Sequence, residues 1–197
     1  LHCNAIKIDN GPQKEYSCSG TPADCVKLGI NEILDRKPDL CVSGINHGSN
    51  HSINALYSGT LHAALEGALQ GFKSISFSHL SYAKDIDFNS FRDFIKTLSL
   101  NALADNISND VVLNVNLPDT IYSNIKGVRI CSQAKGKWTE HFENTKIVDN
   151  KTFYSIKGQF QTDLTNKDTD SWALENNFIS IVPININCTD FHMYHKL

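Results

Sequence analysis

Three short apolar runs, each preceded by a helix-patterned segment, constrain this chain more than any other feature. The runs lie at 40–43, 75–78 and 111–117. Helix and strand alternating in this way cover both faces of a parallel sheet, so the pattern predicts a doubly wound α/β core. Thr21-Pro22-Ala23-Asp24 reads as a helix start, with Thr21 as cap, Pro22 at the first helical position and Asp24 near the positive end of the dipole. Cys25, Leu28, Gly29, Ile33 and Leu34 would face the core, Arg36 and Lys37 would close the last turn, and Pro38 would stop the helix. A second helix begins at Thr60 or Leu61. Its stripe is Leu61, Ala64, Leu65, Ala68, Leu69 and Phe72, with Gly71 as terminator. Phe91, Phe94, Ile95 and Leu98 mark a third.

Beyond Pro118 the pattern changes to strands. One is expected at 128–131. A hairpin is expected at 146–160, turning at Asp149-Asn150-Lys151. A last strand at 178–186 is interrupted by Pro183, which places it at an edge or bends it. The chain is thus expected to be one domain, with an α/β core over roughly 1–134 and a β extension over 135–197.

The composition excludes several classes. With 41% hydrophobic and 20% charged residues in 197, the chain is neither disordered nor a coiled coil. No run approaches the ~18 apolar residues of a membrane span. The net charge is −3 and no basic block stands out, so no duplex nucleic acid or membrane surface is expected as partner. The six cysteines form no C-x-x-C pair and read as reduced core thiols of a cytoplasmic protein. The chain opens on Leu1 without initiator Met or leader pattern, as a piece lacking an N-terminal part would.

Chemistry concentrates between Gly44 and Gly59, a polar loop expected to leave the carboxyl end of a strand, where ligands of open α/β sheets bind. Ser58-Gly59-Thr60 begins a helix. Free N–H groups, two hydroxyls and the positive dipole end would suit a phosphate there, or Ser58 or Thr60 simply caps the helix. Asn46 and Asn50 offer carbonyl oxygens for a hard cation such as Mg²⁺ or Mn²⁺, or else make Asx turns. His47, His51 and His62 do not have zinc spacing, since Gly48 breaks the helix they would need. Tyr57-Ser58-Gly59-Thr60 is not a nucleophile elbow. Cys25, in the first turn of a helix, has a position that lowers a thiol pKa, with a core thiol as the plainer role. Trp138, Glu140 and His141 either line a base or sugar pocket or form a solvated loop.

The segments Ser19-Gly20-Thr21-Pro22-Ala23-Asp24-Cys25, Ser43-Gly44-Ile45-Asn46-His47-Gly48-Ser49-Asn50 and Tyr57-Ser58-Gly59-Thr60 carry a resemblance. So do Asn114-Val115-Asn116-Leu117-Pro118 and Thr169-Asp170-Ser171-Trp172-Ala173-Leu174. Together the chain resembles the SurE family of metal-dependent 5′(3′)-nucleotidases along nearly its whole length. The resemblance implies a Rossmann-like α/β fold with a C-terminal β-hairpin extension, which in the family is exchanged between subunits to give a homodimer or homotetramer. It implies hydrolysis of nucleoside 5′- and 3′-monophosphates with a divalent metal ion, Mg²⁺ or Mn²⁺. Asn46 matches the family's metal-binding asparagine. Ser58, Gly59 and Thr60 match its phosphate segment, with Asn50 and Tyr57 in the substrate pocket. The family's Asp-Asp-Gly motif is absent from the sequence, and with it the first strand and a serine loop. The catalytic residues therefore cannot be assigned. Weak metal binding and an inactive chain are expected, and a non-catalytic nucleotide-binding or assembly module is the rival expectation.

Overall fold

The computed structural model describes residues 1–6, 12–104 and 107–197. A small antiparallel hairpin, β1 (Cys3–Ile6) with β2 (Glu15–Cys18), precedes the first helix. Nothing in the patterning before Thr21 announces it. In α1 (Pro22–Leu28) Thr21 Oγ1 accepts from the Asp24 N–H at 3.2 Å, and the Asp24 carboxylate accepts from the Thr21 N–H at 3.0 Å. This is the expected capping box. The end of the helix is not where the sequence puts it. A π-helical turn, Gly29–Ile33, follows α1 and gives way to extended backbone at Leu34. Arg36 lies beyond the helix and pairs with Asp39 at 2.8 Å. Nor is any residue of α1 fully buried: Cys25, Leu28, Gly29 and Ile33 are half-buried and Leu34 is exposed. The reason is that α1 packs against the next helix rather than against the sheet.

The chain continues through β3 (Leu40–His47), α2 (Gly59–Leu69), β4 (Lys73–His79), α3 (Arg92–Ala104) and β5 (Val111–Leu117). Then come β6 (Val128–Ile130), β7 (Gly136–Val148), β8 (Lys151–Thr162), α4 (Asp170–Glu175), β9 (Ile179–Asn185) and α5 (Phe191–Tyr194). Five strands form one sheet in the order β3-β4-β5-β9-β6. β3, β4 and β5 are parallel, while β9 runs antiparallel to β5 and parallel to β6. The Pro183 strand is therefore interior, not an edge, over Ile179–Ile181. Pro183 itself lies past the end of β6 and faces Leu113 alone. A missing N–H is tolerated there because no second strand calls for it.

α2 ends in a Schellman arrangement: Gly71 N–H donates to Ala68 O and Phe72 N–H to Gly67 O. Its apolar stripe is broader than the sequence suggests. Ala63, Glu66 and Gly67 are buried along with Leu61, Ala64 and Ala68, whereas Leu69 is 63% exposed. Two-sided packing explains this, since the sheet covers one flank and α1 the other. Glu66 reaches Lys27 of α1 at 3.5 Å.

Side chains of β4 alternate between two layers. Ile75 and Phe77 join Val115, Leu117, Ile179 and Ile181 in the main core, closed by Phe94, Ile95, Leu98 and Ala102 of α3. Ser74, Ser76 and Ser78 point the other way, toward the side where Leu61, Ala64 and Ala68 of α2 pack on Val112. The steps β3-α2-β4 and β4-α3-β5 thus move in the same direction across the sheet with their helices on opposite faces. The two crossovers must be of opposite hand, although about 98% of such connections are right-handed. The chain leaves β3 toward one face and β4 toward the other. A crevice opens between their carboxyl ends, which is where ligands of open α/β sheets bind.

The hairpin β7–β8 turns at Asp149 and Asn150, both with positive φ (48° and 59°), as a two-residue type I′ turn requires. It is longer than the 146–160 expected. Phe142, Ile147, Tyr154 and Ile156 along it are 61–71% exposed. Of the six cysteines, Cys131 alone is buried and Cys188 is exposed, so they are not a set of core thiols.

Candidate active site

The stretch expected to be loop from Gly44 onward is still strand as far as His47. Between Ser43 and Asn46 the ladder to β4 shifts register, and then Asn46 pairs with Ser78. Gly44 takes φ +103° in this irregularity, with the Phe77 carbonyl and the Asn46 N–H where a side chain would start. The peptide from Gly44 to Ile45 is cis. This bulge aims Asn46 into the crevice. Asn46 Nδ2 donates to Gly48 O at 2.7 Å, and its Oδ1 has no partner among the described residues.

Asn50 is fixed from below. Its N–H donates to Asn116 Oδ1 at 2.7 Å, its Nδ2 to Ser78 Oγ, and its carbonyl accepts from Asn114 Nδ2 at 2.8 Å. Asn114 Oδ1 in turn accepts from Ser76 Oγ. Ser76 and Ser78 of β4 and Asn114 and Asn116 of β5 thus form one buried polar network beneath the loop. Most of its polar groups are paired, as burial requires, but Asn116 Nδ2 is buried without a partner among the described residues.

Ser52, at φ +54°, is held by Asp170. One Asp170 oxygen accepts from the Ser52 N–H at 2.8 Å. The other accepts from the N–H groups of Ala134 (3.0 Å) and Ser171 (2.7 Å). Asp170 is 1% exposed. It ties the loop after β3 to the base of the β7–β8 hairpin and to α4. Sequence reasoning assigned Asp170 no role of its own, although its place just after the Thr169 cap of a short helix was a usable signal.

From the hairpin side, Trp138 Nε1–H donates to Asn54 Oδ1 at 2.8 Å. Trp138 leans on Phe160 with ring centroids 5.4 Å apart, and Phe160 meets the His51 ring edge-on at 5.4 Å. Glu140 and His141, grouped with Trp138 in the sequence, lie exposed farther along the hairpin, where His141 pairs with Glu143.

At the start of α2, Ser58 Oγ accepts from the Leu61 N–H at 2.9 Å, so Ser58 is the helix cap. The N–H groups of Gly59 and Thr60 have no partner among the described residues. His62 Nδ1 lies 2.6 Å from Ser58 O, not from the hydroxyl. His47 packs edge-on against Phe88. The three histidines of this stretch therefore have three different surroundings. Cys25 is pushed up, not down: burial raises its thiol pKa, and Cys18 and Asp24 add to the rise.

Asn46, Asn50, Tyr57 and Ser58 line one cavity of about 320 Å³, together with Ser49, His51, Asn54, Trp138 and other neighbours. Gly59 and Thr60 lie just past its wall. No carboxylate lines it. A hard divalent ion needs about six oxygen ligands, with carboxylates prominent among them. Asn46 Oδ1 is one neutral oxygen, and no group of three His, Cys, Asp or Glu side chains able to hold a metal occurs among the described residues. The donors present here do not make up a Mg²⁺ or Mn²⁺ site.

Burial lowers the pKa of His51 below the ordinary 6.5, against a smaller raising pull from Asp170. It does the same for His79. A base whose folded pKa is depressed stabilises the fold above its unfolded pKa, and that contribution is lost as pH falls toward the folded value. The thermal midpoint is therefore expected to fall between pH 7 and pH 5. The fall is expected to be shallower in His51→Asn, read by melting curves at half-unit pH intervals.

The sheet and the helices packed on its two faces define a Rossmann-like α/β protein. The chain belongs to the SurE family, whose description "Survival protein SurE" it matches over residues 2–140. It is 48% identical to the 5′-nucleotidase SurE of Flavobacterium psychrophilum, over all of this chain and 77% of that protein. It is 46% identical to the 5′-nucleotidase SurE of Flavobacterium johnsoniae, over all of this chain and 76% of the relative. The crystal structure of the SurE protein from Aquifex aeolicus superimposes with a TM-score of 0.80 at 33% identity, covering 100% of this chain and 79% of that one.

Proposed function

We propose that the chain hydrolyses nucleoside monophosphates to nucleoside and phosphate, at the 5′ position and also at the 3′. One observation carries this: the N–H groups of Gly59 and Thr60, without a partner among the described residues, open an eleven-residue helix directly after Ser58, which lines the cavity together with Asn46. Phosphate oxygens would take those two N–H groups, helped by the positive end of the helix dipole. Ser58 Oγ already accepts from Leu61, so its own proton is left to donate to a third oxygen. These donors favour the charge that builds on the phosphoryl oxygens during transfer. The relatives that match the whole chain bear an enzyme name, which disfavours a non-catalytic binding module.

A divalent ion, Mg²⁺ or Mn²⁺, is the cofactor we propose, in keeping with the family. Of this chain's residues Asn46, through Oδ1, would hold it. The exposed apolar side chains of β7–β8, with Phe191 and Tyr194 of α5, support a homodimer or homotetramer formed through the C-terminal part. No helix among the described residues is long and apolar enough to cross a membrane, and we place the activity in the cytoplasm.

The test has two readouts. Inorganic phosphate, titrated by calorimetry, needs only the helix end and Ser58. Ser58→Ala is expected to weaken it roughly tenfold, the worth of one hydrogen bond to a charged group. Phosphate release from a panel of nucleoside 5′- and 3′-monophosphates, with and without Mn²⁺, is the second. Release that is stimulated by Mn²⁺ and reduced in Asn46→Ala supports the proposal. Phosphate binding indifferent to Ser58→Ala, with no release from any nucleotide, would sink it.

A further inference from the structure

We infer that the hairpin end of this cavity is a nucleobase subsite, with Trp138 as the stacking platform and Asn54 as both its anchor and a hydrogen-bond donor to the base. It rests on the nucleotidase proposal only for the phosphate at the opposite end. The cavity is chemically divided. Asn46, Ser49 and Ser58 give it polar groups, Trp138 and Phe160 of the hairpin give it aromatic ones, and Tyr57, beside Ser58, and Tyr82, against Gly48, add two more rings. Tyr57 is 79% and Tyr82 80% exposed, while Trp138 keeps 43% of its surface open. Three large aromatic side chains left open around one cavity mark a binding surface, because a fold gains nothing from leaving them in water.

The platform is already rigid. The indole N–H is bonded to Asn54 Oδ1 at 2.8 Å, and the ring rests on Phe160 at 5.4 Å, itself backed by His51. A ring fixed before binding has little freedom left to lose. With Oδ1 occupied, Asn54 has an Nδ2 that donates to no group among the described residues. No Lys, Arg, Asp or Glu lines the cavity. The ligand part that fits is therefore uncharged, flat and aromatic, with an acceptor at its edge. That describes a purine or pyrimidine ring. Stacking is open to every base and each base carries acceptors, so broad base tolerance follows.

Base–aromatic stacking is worth about 1–3 kcal/mol by alanine substitution, which is roughly fivefold to 150-fold in affinity. The chain has two tryptophans. The other, Trp172, is stacked on Phe178 under Arg129. Tryptophan emission titrated with adenosine, adenosine 5′-monophosphate and ribose 5-phosphate therefore reports on Trp138. The two base-bearing probes are expected to quench it and ribose 5-phosphate is not. By calorimetry, adenosine is expected to bind Trp138→Ala at least tenfold more weakly and Trp138→Phe within a few-fold of the parent. Should Trp138→Ala fail to melt cooperatively, Asn54→Ala and Tyr57→Ala carry the test, each expected to weaken adenosine severalfold. Adenosine affinity unchanged in both overturns the subsite. If inorganic phosphate binds and adenosine does not, the subsite is wrong and the phosphate end stands. If adenosine binds and no nucleotide is hydrolysed, the subsite stands and the nucleotidase proposal fails.

Discussion

Asp170→Ala is expected to cost about 3–5 kcal/mol of stability, the largest single effect in this molecule. The carboxylate accepts from three backbone N–H groups, those of Ser52, Ala134 and Ser171, and is 1% exposed. Removing it leaves three buried donors with no acceptor, and each orphaned donor costs about 1–3 kcal/mol before relaxation or water entry recovers part. For a chain of this length each kcal/mol lowers the thermal midpoint by about 2–4 °C, so a drop on the order of 10 °C or more is expected. Urea denaturation checks it: the midpoint moves and the slope does not, because the change removes partners without exposing new surface. Asp170→Asn should recover less than half of the loss, since its NH₂ would face an N–H where an oxygen now accepts. A loss under about 1 kcal/mol in Asp170→Ala would show that water takes over the three donors.

Gly44→Ala is the second large effect, expected at about 2–4 kcal/mol. Two costs combine there. The backbone sits at φ +103°, which an L side chain rarely adopts, and the new Cβ would run into the Phe77 carbonyl. That neighbour is main chain in the middle of β4 and cannot swing aside. Gly71→Ala separates the two costs. Gly71 also has positive φ, +87°, but open space around it, so only the conformational penalty of about 1 kcal/mol applies. A Gly44→Ala loss no greater than the Gly71→Ala loss, both from urea titrations, would refute the clash. Because the bulge aims Asn46, Gly44→Ala should also weaken any Mn²⁺ response of phosphate release.

The parts of this molecule legible in its sequence are those governed by short-range rules. The three core strands, the capping box at Thr21, the Gly71 terminus of α2 and the Asp149-Asn150 turn each follow from residues a few positions apart. Of the residues expected in the site, Asn46, Asn50, Tyr57 and Ser58 share one cavity, while Gly59 and Thr60 do not line it. What escaped was set by contacts distant in sequence. Gly44 and Asn46 read as loop residues, yet a ladder to β4 holds them as strand. The run at 75–78 announced a strand but not the bonds of Ser78 to Asn50 and of Ser76 to Asn114, which cross 28 and 38 positions. Asp170 meets Ser52 across 118 positions, and Trp138 meets Asn54 across 84. The end of α1 was misplaced because a π turn intervened, and its half-buried face reflects packing on a helix where a sheet was expected.

The opposite hands of the two crossovers bear on how this molecule could diversify. The crevice between β3 and β4 exists because the backbone diverges there, whatever side chains line it. Its polar half is built from β3 and α2, inside the folding core. Its aromatic half hangs on a hairpin joined to that core through Asp170 and the Trp138–Asn54 contact. Substitutions in the hairpin can therefore alter the aromatic lining of the cavity without disturbing the start of α2. Selection can act on the two halves separately, so that closely related sequences keep one chemistry and exchange their preferred leaving group.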